Sequence, residues 1–204
     1  MKYTRSLIPF LGAALLLLSS GCQERGLDYP FTPLNELAAE QDHELLTMET
    51  LLHENIVSLL DRAESLEIFR VDMRPFYDEE TEETSSRLEL EAGPFPVENE
   101  FRQRFLHKIQ DIDQFGIPVD CPFEPQLLFR VKAPVEKEDD SDEPVTDQID
   151  FIVNLSCAEV VFVYRGVRVN PRNLTISHDF FRLVAAIAEE SFPHDHELRG
   201  LSEL

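Results

Sequence analysis

Three segments near the C-terminal end, Leu127 to Lys132, Ile149 to Ser156 and Val160 to Val169, are dense in β-branched and aromatic residues. That composition marks strands. Parallel neighbours need a crossover of a dozen or more residues, so the short spacings among these three favour antiparallel pairing. The stretch between the first two is acidic and carries Pro134 and Pro144, which suits a loop. The fold therefore has to be built around an antiparallel sheet.

Helical patterns flank that sheet. From Pro33 to about Ser65, Leu34, Leu37, Leu45, Met48, Leu52, Ile56, Leu59 and Ala63 recur at helical spacing, with Thr32 placed as N-cap and a break expected near Gln41 or Asp42. Leu66 to Met73 alternates as a strand with one wet face, and Pro75 is expected to end it. Residues 78 to 83 are an acidic loop and Arg87 to Glu91 a short edge strand. Phe101, Phe105, Leu106 and Ile109 mark a second helix over Glu98 to Asp113, closed by Gly116 and Pro118. Leu174 to Ile176 lead into a last helix capped by Ser177, whose apolar face runs from Phe180 to Ala188. The expectation is one α+β domain over residues 33–192, with three to five mostly antiparallel strands on two or three helices. Residues 193–204 read as a loose acidic tail.

The N-terminus sets the compartment. Lys2 and Arg5 precede an apolar run from Leu7 to Leu18, then Ser19, Ser20, Gly21 and Cys22, which is the layout of a secretory signal peptide over residues 1–21. The run contains Pro9 and falls short of the ~20 residues a spanning helix needs. A Cys directly after small residues resembles the bacterial lipobox, with Ser19 where the pattern prefers Leu. The resemblance implies lipidation of Cys22, and Gln23 in place of Asp implies, by the enterobacterial sorting rule, the outer membrane facing the periplasm. Ordinary cleavage leaving a free Cys22 is the alternative. Residues 22–32 then form the lipidated Cys and a short tether.

Without residues 1–21 the chain keeps 16 of its 18 Lys and Arg and all 40 Asp and Glu, a formal charge of minus 24. Nucleic acid and anionic headgroups repel such a surface, so no nucleic acid partner is expected. Between Leu27 and Asp61 stand eight acids and no Lys or Arg, a solvated helix face.

With Cys22 assigned to lipid, Cys121 and Cys157 remain. If Leu127 to Lys132 pairs with Ile149 to Ser156 so that Ala133 faces Ile149, Cys157 faces Pro125 and the thiols come within reach; an oxidising compartment then favours a disulfide. Two buried free thiols and a reactive Cys are the alternatives, the last lacking Cys-x-x-Cys spacing. Cys121-Pro-Phe-Glu-Pro125, a strand, a polar loop, then Asp150-Phe-Ile-Val-Asn-Leu-Ser-Cys157 and the strand Val160 to Tyr164 resemble a group of small uncharacterised secreted bacterial proteins. There a Cys-Phe-x-Pro segment precedes one strand and a second Cys ends the next. The likeness covers roughly residues 66 to 190, and it implies no activity.

Catalytic signatures are sparse. Ser177-His178-Asp179 has triad residue types, but direct neighbours do not line up as nucleophile, base and orienter. His194 and His196 stand two apart, a spacing that would hold Zn²⁺ or Cu²⁺ on an extended chain, with a solvated tail as the plain reading. His43 and His53 fall on the first helix, His53 four after Glu49 as an intrahelical pair. Glu136 to Glu143 has six acids in eight residues without the Gly and spacing of a calcium loop. Arg165, Arg168 and Arg172 form a local basic cluster whose expected partners are nearby acids. No cofactor, catalytic residue or metal ligand is assigned. The expected role is a membrane-anchored, monomeric envelope lipoprotein acting as a non-enzymatic binding or interaction module for an unknown protein or small molecule. The alternatives are a metal- or cation-binding periplasmic protein and an enzyme with an unrecognised carboxylate/His site.

Overall fold

Alternation in Leu127, Phe129, Val131 and Ala133 puts four fully buried side chains on one face of a strand, while Arg130 and Lys132 lie half-buried on the other. This strand is central in the computed structural model, which describes residues 29–40, 46–78, 83–135, 146–170 and 172–204. The leader, Cys22, His43, Glu136 to Glu143 and most of the 78–83 loop lie outside the described residues.

The helices α1 (Leu34–Glu40), α2 (Met48–Leu52), α3 (Glu54–Asp61), α4 (Asn99–Ile109) and α5 (His178–Ser191) accompany an eight-stranded antiparallel sheet. Its strands are β1 (Ser65–Asp78), β2 (Glu83–Pro96), β3 (Phe115–Gly116), β4 (Leu127–Pro134), β5 (Thr146–Asn154), β6 (Glu159–Tyr164), β7 (Val167–Arg168) and β8 (Leu174–Ile176). Their order is β2-β1-β4-β5-β6-β8-β3, with β7 paired to β6 alone. The class is α+β with an antiparallel sheet, and the strand count exceeds the expected three to five. Two of the extra strands, β3 and β7, are only two residues long, too short to leave a periodicity.

The central register differs from expectation by two residues. Ala133 faces Asp147, not Ile149, because β5 starts at Thr146 and pairs along all of β4. An even shift keeps every side chain on its face. The observed register sets Phe129 opposite Phe151 inside and Arg130 opposite Asp150 outside, the latter joined at 2.7 Å and 2.9 Å. Lys132 meets Glu67 at 2.8 Å, and the Arg130 guanidinium lies 5.1 Å from the Phe69 ring centre. That outer face is a sheet surface laced by charge.

On the inner face the packing is aromatic. Phe105 of α4 stacks on Phe129 at 4.7 Å between ring centres and meets Phe151 and Phe180 edge-on at 5.4 Å and 5.5 Å. Phe115 and Phe162 extend the cluster, and all six rings are fully buried. With 15 Phe and no Trp, the core takes its bulk from rings that need no polar partner.

Three expectations about elements are corrected. The helix foreseen over 33–65 is divided: α1 starts at Leu34 with Pro33 O accepting from Glu36 and Leu37 N–H, so Thr32 is not its cap. Thr47 and Thr50 form a capping box for α2, and His53 at φ 74° separates α2 from α3, so His53 joins Glu49 through its backbone N–H instead of as a side-chain pair on one helix. Pro75 does not end β1, which runs to Asp78 against a β2 far longer than Arg87 to Glu91. Proline is tolerated where no strand needs its missing N–H, and among the described residues β1 beyond Val71 has β2 alone as neighbour. Gly93 lets β2 press on β1: its φ is 105°, and a Cβ there would lie 2.7 Å from Ile68 O. Finally, residues 193–204 are not loose. Leu198 and Leu201 are buried in the core cluster, Glu189 accepts from Ser202 N–H and Oγ, and Arg70 holds Asp195 and Glu197. The acids that made the segment look like a tail are its attachments.

Candidate functional site

The site follows from where β1 and β4 part. Gln126 N–H donates to Val153 O and its carbonyl accepts from Val71 N–H, the last such link between the two strands. Upstream, Cys121 to Pro125 turns toward the β5–β6 end of the sheet. There the Cys121–Cys157 disulfide holds it, with Cα atoms 6.5 Å apart, while Asn154 Nδ2 donates to Pro122 O at 2.9 Å. Leu155 N–H donates to Gln126 Oε1 at 2.6 Å. Meanwhile β1 runs on to Asp78.

Between the diverging segments lies a groove of about 700 Å³. Val71, Asp72 and Met73 form one wall, Pro122 to Gln126 the other, with Ser86 and Glu91 contributed by β2 and Arg70 and Glu197 at the closed end. Arg70 is the keystone: Nε binds Asp195 at 2.9 Å, Nη2 binds Glu197 at 2.5 Å and Nη1 donates to Gln126 O at 3.0 Å. One side chain thus ties β1, the groove wall and the C-terminal segment. Burial pushes the Asp195 carboxyl up, yet hydrogen bonds from Arg70 and Glu197 N–H and the charges of Arg70 and His196 leave it below the ordinary aspartate range. Arg74 bridges Asp72 and Glu91, both at 2.9 Å. Among the lining residues Arg70 faces four acids, Asp72, Glu91, Glu124 and Glu197, so the groove is negative.

Chemically the groove offers carboxylates, the Arg70 guanidinium, one hydroxyl, Gln126 and backbone groups, with no His or Cys among the described residues of its lining. That set can accept hydrogen bonds and hold cationic groups, and no hydrogen bond among the described residues joins the Ser86 hydroxyl to a carboxylate of the lining. Comparison of the chain with protein-family models, with curated proteins and with solved structures finds no match.

The other residues singled out by the sequence are placed elsewhere. Ser177 caps α5, its Oγ accepting from Phe180 N–H at 3.1 Å and donating to Gln114 Oε1 at 2.6 Å. His178 packs edge-on against Tyr29 at 4.5 Å, so the Ser-His-Asp run serves a helix start. His194 and His196 are exposed on either side of Asp195. No group of three or more His, Cys, Asp or Glu among the described residues is placed to hold a metal ion. Arg165 pairs with Asp147 at 3.0 Å, which also accepts from Tyr164 Oη at 2.6 Å. Arg168 goes to Asn170 O and Asn173 Oδ1.

Two features escaped the sequence reading. Arg70 falls in a strand at a position whose neighbours Leu66 and Ile68 point into the core, and that parity is its signal. Glu159, on the edge of an apolar run, is fully buried with Asn154, Asn170 and Thr175. Asn173 Nδ2 donates to its Oε2 at 2.8 Å, while Oε1 has no partner among the described residues. Burial raises its pKa above the usual glutamate value, against hydrogen bonds from Asn173 and Val119 N–H and the charge of Arg168. Thr175 Oγ1 donates to Ile117 O at 2.5 Å, so this cluster fastens the chain that leads into the groove wall.

Proposed function

We propose that the chain is an envelope lipoprotein, anchored through lipid on Cys22, whose domain acts by binding rather than catalysis, with the groove between β1 and Pro122 to Gln126 as its binding site. The observation that carries the binding reading is the groove itself. Its far wall is pinned at both ends, by the disulfide and by Arg70, so its shape exists before any partner arrives. A preformed site lowers the ordering cost of binding. The anchor reading rests on the basic, apolar and small-residue order before Cys22 and on its likeness to the lipobox. No helix among the described residues is long and apolar enough to cross a membrane. The likeness of residues 66 to 190 to small secreted bacterial proteins agrees with an oxidising compartment, in which the Cys121–Cys157 bond persists.

The experiment is the intact mass of the protein isolated gently from its native envelope, with and without reductant and under native and denaturing conditions. A lipid increment on a chain beginning at Cys22, with the mass of two hydrogens gained on reduction, is the expected result. Mass lost on denaturation identifies a bound small ligand. A chain without lipid removes the anchor, and a tightly held metal ion would replace this reading with the metal-handling one.

A further inference from the structure

Beyond Val71, the β4-side edge of β1 pairs with no strand among the described residues. Val71 N–H points to that side, so by the alternation of a strand the backbone groups of Met73, Pro75 and Tyr77 do as well. An unpaired edge is a template for another extended chain. Here it opens into a groove rather than onto a bare surface, and the width left by the departure of Pro122 to Pro125 is where the next strand of the sheet would run.

We propose that the groove receives an extended segment of another protein, carrying Lys or Arg at alternate positions, as an added strand along β1; the proposal rests on the binding-module reading above. Backbone pairing to Met73 and Tyr77 supplies a sequence-independent part of the binding. Pro75 supplies only a carbonyl, so a visitor's N–H opposite it is paired while the visitor's own carbonyl there is not. Charge selects the partner. Asp72, Glu91 and Glu124 line the path; Arg74 is shared between Asp72 and Glu91, and Arg70 between Asp195 and Glu197, so the two cations leave these five carboxylates with an excess of negative charge and Glu124 with no ion pair among the described residues. A visitor's alternate basic side chains meet that carboxylate row. A second copy of this chain, at 18 basic against 40 acidic residues, brings the wrong sign, and repulsion together with Pro75 disfavours self-pairing of the open edge.

The test uses the full-length protein in detergent micelles and three capped hexapeptides: alternating Val and Lys, alternating Val and Glu, and the Val-Lys peptide with alternate amides N-methylated. The Val-Lys peptide is expected to bind saturably, to slow hydrogen exchange at Met73 and Tyr77, and to weaken as salt rises. The triple variant Asp72→Asn, Glu91→Gln, Glu124→Gln is expected to bind it about tenfold more weakly, as for the loss of three rim charges. N-methylation is expected to abolish the exchange protection. Equal binding of the Val-Glu peptide, binding without protection of Met73, or no binding overturns the proposal. A concentration-dependent dimer that protects Met73 without peptide overturns it in favour of a second copy. An anchored chain that binds no peptide sinks this inference alone, whereas a lipid-free chain that binds it sinks the anchor alone.

Discussion

Glu159 is a carboxylate that the fold holds at a cost. Its Oε1 is buried with no donor among the described residues, and such a group costs about 1–3 kcal/mol. Because its folded pKa lies above the unfolded value, the native state binds the proton more tightly than the unfolded chain. This contribution to stability is complete below the unfolded glutamate value of about 4.3 and is lost as pH rises through the folded pKa. Glu159→Gln keeps an acceptor for Asn173 and removes the charge, so we expect it to raise the melting temperature at neutral pH. The gain should vanish at acid pH, and a pH series of thermal melts reads this; an equal shift at all pH values would count against it. Arg70 behaves oppositely. Its side chain is only 13% exposed and holds two carboxylates and a carbonyl. Arg70→Ala should cost about 2 kcal/mol, the scale of a charged hydrogen bond lost with its partners left in place. The depressed Asp195 pKa makes that contribution present above the unfolded aspartate value of about 3.9 and lost as pH falls through the folded one. Hydrogen exchange in residues 193–204 should accelerate in the variant. At this scale the sequence was legible where chemistry is local. Ser177 before a helical pattern and two thiols beside one hairpin could be read, whereas Arg70, whose partners lie 125 and 127 positions away, left only a parity clue.

Among the elements, alternation located the central strands and the apolar stripe located α4 and α5. What it missed has a common cause. A proline such as Pro75 stops a strand only where a neighbour needs the N–H, and neighbours are a property of the assembled sheet. Likewise the stripe from Leu34 to Ala63 is continuous while the helices are not, because the Thr47 cap and the His53 turn are compatible with burying the same face in separate pieces. The groove was invisible for the same reason: it is the space left when two strands diverge. Its wall gives the element-scale prediction. The Cys121–Cys157 bond closes a loop with a separation of 36, for which chain entropy gives about 3–4 kcal/mol. Reduction should lower thermal stability and raise exchange first at Leu155, whose N–H binds Gln126, with the Phe105 cluster still protected. Unchanged exchange at Leu155 would mean the wall stands without the bond. Gly93→Ala should splay the hairpin, since its Cβ would press on Ile68 O at a φ of 105°. We expect a loss of about 1–3 kcal/mol, concentrated in β1 and β2 exchange.

For the whole molecule, the sheet would convert a lipid anchor on Cys22 into a direction for its far edge. Tyr29 Oη donates to Ile176 O at 2.7 Å, Pro33 bridges Gly116, and a Cβ on Gly116 would lie 2.7 Å from Thr32 O. The N-terminal segment is therefore fastened to the β3–β8 edge. Counting along β2-β1-β4-β5-β6-β8-β3, the groove edge stands across the sheet, and the β3-to-β2 span is about 29 Å at ~4.8 Å per neighbour. Should Cys22 carry lipid, the residues between it and Tyr29 span at most about 25 Å even when fully extended. The β3 edge then stays close to the bilayer and the open flank of β1, with the exposed Phe76 and Tyr77, faces away from it. Repulsion between an acidic domain and anionic headgroups favours the same orientation, because it drives the domain to the end of its tether. The prediction is a depth difference on vesicles carrying the lipidated protein. A label at Ile117, 54% exposed beside β3, should be quenched by a headgroup-attached quencher, and a label at Tyr77, 57% exposed on the hairpin, should not. Equal quenching would mean that the domain lies flat on the membrane. Stronger quenching at Tyr77 would turn the groove toward the lipid and make the bilayer, not a soluble partner, its nearest neighbour.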